Sequence, residues 1–419
     1  MNRTLTISLV FLSGCFFISM PTTIQARTTI TNFEKYNLLQ TGCLTKITKE
    51  EMAILLKDAN PTILKRLAED AELKRLQIKN LKEMVAVACQ SIKEGFGENY
   101  NLTEELKNIG IELTAVNYDR EINKNPMPSF GLISEVQIKE FYANASNQAE
   151  FEKFLKSKIE LAKENGQIKA DSDISKDATE QVKDYFAKTR IYYEEAQRNS
   201  DKLPKEFWSN LEFSIKLQKA QYLSGLYSQK VLADKTKVTD EEVQIYIAKH
   251  PEFDTKVQKA KASKILRRAK AGENFARLAK KFSEDPGSKD NGGLYEGVAV
   301  GLFLPEFEQA ALSLKTGRIF PKLVETPYGY HIIKLVKKGE IKDQNGAIKY
   351  SFDVRHILIS TDINDPDNPA NRQIPAKQYV RTKLETEKQK KILGEILTNN
   401  PIVVEDFEVP KVSVEPTQQ

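Results

Sequence analysis

From residue 47 to 247 the chain reads as almost entirely helical, and this long stretch limits the fold before any other feature does. Asn60 precedes Pro61, a pairing suited to a first helical turn, because the N–H that proline lacks has no partner at a helix start anyway. Ile63, Leu64, Leu67, Leu73, Leu76, Ile78, Leu81 and Met84 then recur at helical spacings. Past Pro204, the residues Phe207, Trp208, Leu211, Ile215, Leu217, Tyr222, Leu226 and Val231 form a second stripe, broad enough to predict packing against other helices. Thr239-Asp240-Glu241-Glu242 has the form of a capping box and opens a short helix carrying Val243, Tyr246 and Ile247. Core packing is the reading these stripes support.

The N-terminus stands apart from this pattern. Arg3 gives a positive start, Leu5 to Met20 an apolar run broken by Ser13 and Gly14, and Thr22 to Ala26 a small-residue cleavage region, the form of an export signal. No other segment approaches the ~20 apolar residues of a membrane span. The expected mature protein therefore works outside the cytoplasm, in the periplasm or cell envelope. Leu12-Ser13-Gly14-Cys15 also resembles a bacterial lipobox, which would make Cys15 a lipidated tether to a membrane. Phe16, Phe17 and Ile18 continue the apolar run where lipoproteins usually turn polar, so both readings stay open. Cys43 and Cys89 are equally open, as a disulfide in an oxidising compartment or as two buried thiols.

Composition narrows the chemistry. The 63 Lys and Arg against 58 Asp and Glu leave a net charge of +5, too slight to imply a nucleic-acid partner. With 40% hydrophobic residues the chain is too apolar for disorder, and 419 residues suit two or three domains. Three His and three Cys, with no CxxC and no HExxH, give no metal set, and nothing implies a cofactor. The sequence also lacks a GxSxG motif and a partnered Cys nucleophile, which disfavours a hydrolase.

Residues that carry chemistry begin after Pro251. Lys259 to Ala271 reads as a helix ending near Gly272, and Phe275 to Phe282 as a second with Phe275, Leu278, Ala279 and Phe282 on one side. The segment from Asp285 to Gly293 is dense in turn formers. Pro305 opens a helix through Phe307, Ala310, Ala311 and Leu314, closed by Gly317. A β-run from Tyr330 to Val336 follows the turn residues Thr326 to Gly329.

The succession of Ala271-Gly272-Glu273-Asn274-Phe275, Phe282-Ser283-Glu284-Asp285-Pro286-Gly287-Ser288, Asn291-Gly292-Gly293, Leu304-Pro305-Glu306-Phe307-Glu308 and Tyr328-Gly329-Tyr330-His331-Ile332-Ile333-Lys334-Leu335 resembles the parvulin family of peptidyl-prolyl isomerases. With the helical region and the export signal, the chain more loosely resembles the SurA and PrsA type of extracytoplasmic folding factor. The family normally begins with a strand carrying a His-Ile-Leu motif before its first helix, yet Asp254 to Ala262 is charged and helix-like. The motif appears instead at the far end, as Asp353-Val354-Arg355-His356-Ile357-Leu358-Ile359.

A circular permutation follows from this, with the first strand supplied after the last. The family's first and last strands are antiparallel neighbours, so a connection through Lys342-Asp343-Gln344-Asn345-Gly346 can join them as a hairpin. A two-residue turn at Asn345-Gly346 would set His331 opposite Ser360, whereas directly opposed histidines need a wider or bulged loop. Either register keeps both histidines on one face, because side chains alternate with period two. In the competing reading, Val354 begins a second, truncated parvulin domain, which leaves the first copy without its opening strand.

The expected fold is α+β. A helical chaperone-like domain covers 27–250, and a parvulin-like domain with an antiparallel four-stranded sheet surrounded by helices covers 251–360. The stretch 361–419 is read as an exposed loop (Asp362 to Pro375), a helix (Gln378 to Leu397) and a short strand returning to the helical domain.

By the resemblance, His331 and His356 match the paired histidines of the parvulin site, Asp285 the position held by Cys or Asp, and Thr326 a hydroxyl bonded to an imidazole. Phe303 and Phe307 match the proline pocket, while Tyr295 stands where Leu is common and Leu294 where Asp is common. His250, before Pro251, reads as a helix-end or linker residue. The implied function is isomerisation of X-Pro bonds and holding of unfolded or partly folded exported proteins and proline-containing peptides. The Tyr295 and Leu294 departures keep open an inactive parvulin module that only binds client segments.

Overall fold

The computed structural model describes residues 42–57, 59–124, 130, 132–169, 175–342, 348–367 and 373–410, so the export signal and Cys15 lie outside the described residues. The chain divides into two compact units, one of residues up to 235 together with 390 onward, the other Thr236–Gln389.

The first unit is helical. Its helices are α1 (Lys49–Lys57), α2 (Pro61–Glu69), α3 (Ala71–Lys93), α4 (Tyr100–Asn123), α5 (Glu135–Ala143), α6 (Ala145–Glu164), α7 (Lys176–Arg198) and α8 (Lys205–Tyr227). Pro61 sits at the start of α2 with Asn60 as its cap, as its sequence suggests. The stripe from Ile63 to Met84 is split at Asp70, whose extended backbone ends α2 and whose carboxylate accepts from Leu73 N at 2.9 Å to start α3. Trp208 on α8 is fully buried, its indole N–H donating to the Ser200 carbonyl. The end of the chain belongs to this unit, since Ile396, Ile402 and Phe407 join Met84, Val87, Leu223 and Tyr227 in one core. Two short strands close that return, β1 (Lys46–Ile47) pairing in parallel with β8 (Val403–Val404).

The second unit begins earlier than the 251 expected. Its first helix, α9 (Asp240–Lys249), has the Thr239–Glu242 capping box and buries Val243 and Ile247 against Phe253, Tyr379 and Val380. This satellite core, not the proline after His250, sets the boundary. His250 caps the end of α9 and stacks on Tyr246 at 4.0 Å. Helices α10 (Lys256–Lys270), α11 (Phe275–Phe282) and α12 (Pro305–Leu312) follow, with a sheet of β2 (Leu294–Ala299), β3 (Val324–Thr326), β4 (Gly329–Lys342) and β5 (Ile348–Ser360) in the order β2-β5-β4-β3. Every described pairing in this sheet is antiparallel. Tyr330, Ile332, Ile357 and Ile359 face α10 and α11, whereas Ile333, Leu335, Phe352 and Val354 face α12.

The stretch read as an exposed loop instead starts and ends in a hairpin of β6 (Asp362–Asn364) and β7 (Gln373–Pro375). Ile363 and Ile374 pair in it and pack on the satellite core, an apolar anchor that the Asp, Asn and Pro around them conceal. The last helix, α13 (Ala376–Asn399), starts in this unit and ends in the first.

Cys43 and Cys89 form a disulfide with 5.0 Å between Cα atoms and a sequence separation of 46. In the chain-entropy account, closing a loop of that size restricts the unfolded chain by about 4 kcal/mol. Replacing both cysteines by serine is expected to lower the unfolding free energy by about 2–4 kcal/mol. Denaturant melts of the first unit's signal should then lose their dependence on reductant.

Candidate functional site

The site is assembled around β5. On one side β5 pairs with β4 throughout, His331 opposite Leu358 and His356 opposite Ile333. The histidines are thus diagonal, neither directly opposed nor in the register of a two-residue turn. One detail puts them on a common face. Near the turn Lys342 pairs with Ile348, a register that would carry on to oppose His331 and Ile359 and send His356 to the other face. Between Leu335 and Lys337 the strand bulges, with Val336 as the extra residue, and the pairing beyond it brings both imidazoles to the α12 side.

On its other side β5 pairs with β2 only as far as Arg355, and a loop takes over from there. The His356 N–H donates to the Gly293 carbonyl at 2.8 Å, the Leu358 carbonyl accepts from Glu284 N at 2.8 Å, and Leu358 N donates to the Ser283 hydroxyl at 3.2 Å. This lacing brings Asp285 beside His356. It also needs a glycine at 293, where φ is +78° and a Cβ would stand 2.1 Å from the His356 carbonyl oxygen.

The polar groups form one row. His331 Nδ1 and His356 Nδ1 are 3.3 Å apart, Thr326 Oγ1 is 2.8 Å from His331 Nε2, and Asp285 Oδ2 is 3.0 Å from His356 Nε2. Tyr295 OH donates to Asp285 Oδ2 at 3.1 Å, and the Ser288 hydroxyl bonds both that oxygen and, at 3.1 Å, His356 Nε2. With both rings neutral, the carboxylate fixes every proton in the row. It can only accept, so His356 carries hydrogen on Nε2 and presents Nδ1 as an acceptor. His331 must then donate from Nδ1 and accept from Thr326 at Nε2, while Thr326 accepts from Tyr328 N at 3.2 Å.

Apolar side chains roof the row. Phe307 meets both imidazoles edge-on with ring centroids 5.4 Å away, and Phe303 packs on Phe307 at 5.0 Å and on Tyr295 at 5.3 Å. Burial, and then repulsion by His356, push the His331 imidazole down to about 3 against a smaller upward pull from Asp285. Burial acts the other way on Asp285 and would raise it. Hydrogen bonds from His356, Ser288 and Tyr295, with the attraction of His356, outweigh that and hold the carboxyl well below the usual carboxylate range.

Of the residues singled out in the sequence, His331, His356, Asp285, Thr326, Phe303, Phe307 and Tyr295 come together here. Leu294 does not. It pairs with Arg355 and, next to Tyr295 on β2, takes the opposite face of the sheet, as period-two alternation requires. Three residues went unnoticed. Ser288 lies three positions after Asp285 in the same turn, a spacing that signals a side-chain bond. Phe352 follows from the alternation Phe352-Val354-His356, and its ring is 6.4 Å from Phe303. Glu308 had no local signal: its buried carboxylate accepts from Gly301 N and Phe303 N, all at 2.9 Å, and so clasps the loop that carries Phe303.

Residues 245–337 match the rotamase family described as the PPIC-type PPIase domain. This chain carries a parvulin-type domain. The match stops short of β5, so His356 lies outside it and is brought to the matched residues by the pairing of β5 with β4 and by its bonds to the Asp285–Gly293 loop. The chain is similar to the foldase protein PrsA of Caldanaerobacter subterraneus, 37% identical over 206 residues that cover 45% of this chain and 64% of that protein. PrsA of a Geobacillus species is 38% identical over 128 residues, 29% of this chain and 45% of that protein. PrsA 2 of Listeria innocua is 26% identical over 259 residues, 62% of this chain and 75% of that protein. The chain thus spans less than two thirds of the length of the first two of these curated relatives.

The two shifted groups set an acid limit on stability. The folded His331 binds its proton far less readily than an unfolded histidine, so the unfolded state takes up protons first as pH falls below about 6.5. Stability of the second unit is expected to be constant above that pH, to decline from about 6.5 toward 3 through His331, and to decline further below about 4 as Asp285 loses its carboxylate advantage. Thermal melts against pH check this. The decline between 6.5 and 4 should shrink in His331→Gln while the part below 4 remains.

Proposed function

We propose that the chain is an exported peptidyl-prolyl isomerase that also holds unfolded or partly folded client proteins. The observation that carries this reading is the bonded row of Thr326, His331, His356 and Asp285 beneath Phe303 and Phe307. An X-Pro bond rotates over a barrier of about 18–20 kcal/mol because the amide must give up its resonance. No covalent bond breaks, so a catalyst has only to favour the twisted amide over the planar one.

In this reading the proline ring sits against Phe303, the half-buried ring of the three, with Phe307 and Phe352 buried behind it. Desolvation favours the twisted form, in which charge separation along the amide is lost. The row of hydrogen bonds holds the two imidazoles edge-to-edge as a fixed wall of the pocket, and Asp285 sets their protons. Ser288 and Tyr295 hold Asp285, and Tyr295 adds an aromatic side to the pocket. Tyr295 standing for the usual Leu thus supplies a bond to the network as well as apolar surface.

The domain is read as circularly permuted, with β5 standing for the family's first strand. Its place between β2 and β4, sharing a site with His331, favours this over a second, truncated copy. Export is supported by the signal-like N-terminus and by the Cys43–Cys89 disulfide, which suits an oxidising compartment. No described helix is long and apolar enough to cross a membrane. A tether through Cys15 remains an alternative to a free mature form. For client holding, the first unit offers an open cleft lined by Ile138, Tyr142 and Ala143 together with the charged Lys139, Glu180, Lys183 and Asp184.

The test is exchange spectroscopy on a proline peptide with catalytic amounts of the full chain. Wild type is expected to speed cis/trans exchange. His331→Ala and His356→Ala are each expected to reduce the enzymatic rate by roughly tenfold or more, about 1.4 kcal/mol of transition-state stabilisation, while near-ultraviolet dichroism is retained. Wild-type speed in both variants would remove those residues from the mechanism. Suppressed aggregation without isomerisation by the wild type would identify a binding chaperone with an inactive module.

A further inference from the structure

The face of β5 that carries His356 continues outward past the pocket. Val354 and Phe352 alternate with it and are fully buried, and the next residue on that face, Tyr350, is 76% exposed. The neighbouring strand makes the same transition. Val298 is buried opposite Phe352, and beyond it Val300, 47% exposed, donates its N–H to the Tyr350 carbonyl at 3.1 Å. Leu302, the residue before Phe303, is 72% exposed.

Three apolar side chains therefore stand in water next along the chain from residues of the proposed proline pocket, Tyr350 and Val300 beyond Phe352 and Val298, and Leu302 before Phe303. They are held there. The Glu308 carboxylate bonds Gly301 N and Phe303 N on either side of Leu302, and charge-assisted bonds of this kind keep the loop from folding its apolar tip away. A surface that is apolar, ordered and continuous with a binding pocket fits a ligand better than solvent.

We propose that Val300, Leu302 and Tyr350 form a specificity subsite for one bulky apolar side chain of an extended client segment, two residues from the proline. The spacing follows from the strand itself. Tyr350 lies two residues beyond Phe352, about 7 Å at the rise of extended chain, and an extended client advances by the same amount over two residues. The inference rests on the isomerase reading for the location of the proline and extends it to what the client carries beside that proline.

The test uses labelled peptides with a single proline in an alanine and lysine background, carrying Leu or Ala two residues before it or two residues after it. Affinity is read by fluorescence anisotropy and isomerisation by exchange spectroscopy, both on the full chain. At one of the two placements the wild type is expected to favour Leu over Ala by roughly five- to tenfold, the effect of covering part of one apolar side chain. Leu302→Ser and Tyr350→Ser are each expected to bring the Leu peptide down to within about twofold of the Ala peptide. Both residues are exposed, so melting temperatures should stay at the wild-type value, and if one variant melts early the other decides.

No Leu preference in the wild type, or a preference undiminished in the folded variants, would overturn the subsite. So would a dimer in sedimentation that either substitution dissolves. A Leu preference in binding that the variants lose, with no isomerisation by any form, would retain the subsite and reject catalysis. Isomerisation without any preference would do the reverse.

Discussion

One extra residue in β4 governs the geometry of the second unit. The hairpin of β4 and β5 carries an imidazole on each arm, and the register near its turn would put them on opposite sides of the sheet. The bulge at Val336 shifts the register once, and every side chain beyond it changes face together. Ile332, Ile357 and Ile359 then meet α10 and α11, while Ile333, Leu335, Val354 and both histidines meet α12. Core and site are thus set by the same shift, because a strand cannot turn one residue inward without turning its whole row.

The polar row is stable in an apolar setting because each buried group has a partner of the right kind. A carboxylate that only accepts sits at one end and a backbone N–H that only donates at the other, and the two imidazoles and the Thr326 hydroxyl bridge them as one continuous chain of bonds. This explains why hydroxyls cluster at the site. Ser288 and Tyr295 add two bonds to the Asp285 oxygen that His356 reaches, and these bonds offset the cost of burying its charge. The result is a dry wall of fixed shape, suited to a reaction whose difficulty is electronic rather than covalent.

Much of this was legible in the residues. Helices show through strong caps and stripes, as at Asn60-Pro61, Thr239–Glu242 and Phe275–Phe282, where local chemistry and packing agree. The paired histidines, Asp285 and Thr326 were legible through motif order, and His356 through a strand motif at the wrong end of the domain. Other features were not. Leu294 was placed in the site because its motif position invites it, yet a strand exposes only alternate residues to one side. The β6–β7 hairpin was hidden by its loop-like composition, with two isoleucines carrying its packing. Glu308 looked like one more acid at a helix start, and its bonds run to a loop whose position no local pattern gives.

The sequence by itself determined the helical character of the first half, the turn-rich loop before β2, the two strands bearing histidine and the identity of the groups available for chemistry. These depend on periodicity, capping and turn preference, which act over a few residues. Tertiary structure decided the register that joins His331 to His356, the lacing of the Asp285 loop onto β5, and the return of the chain's end to a core built near its beginning. Each of these joins residues far apart in the chain through backbone pairing or shared burial, and such free energies exist only once the whole fold has brought the partners within reach.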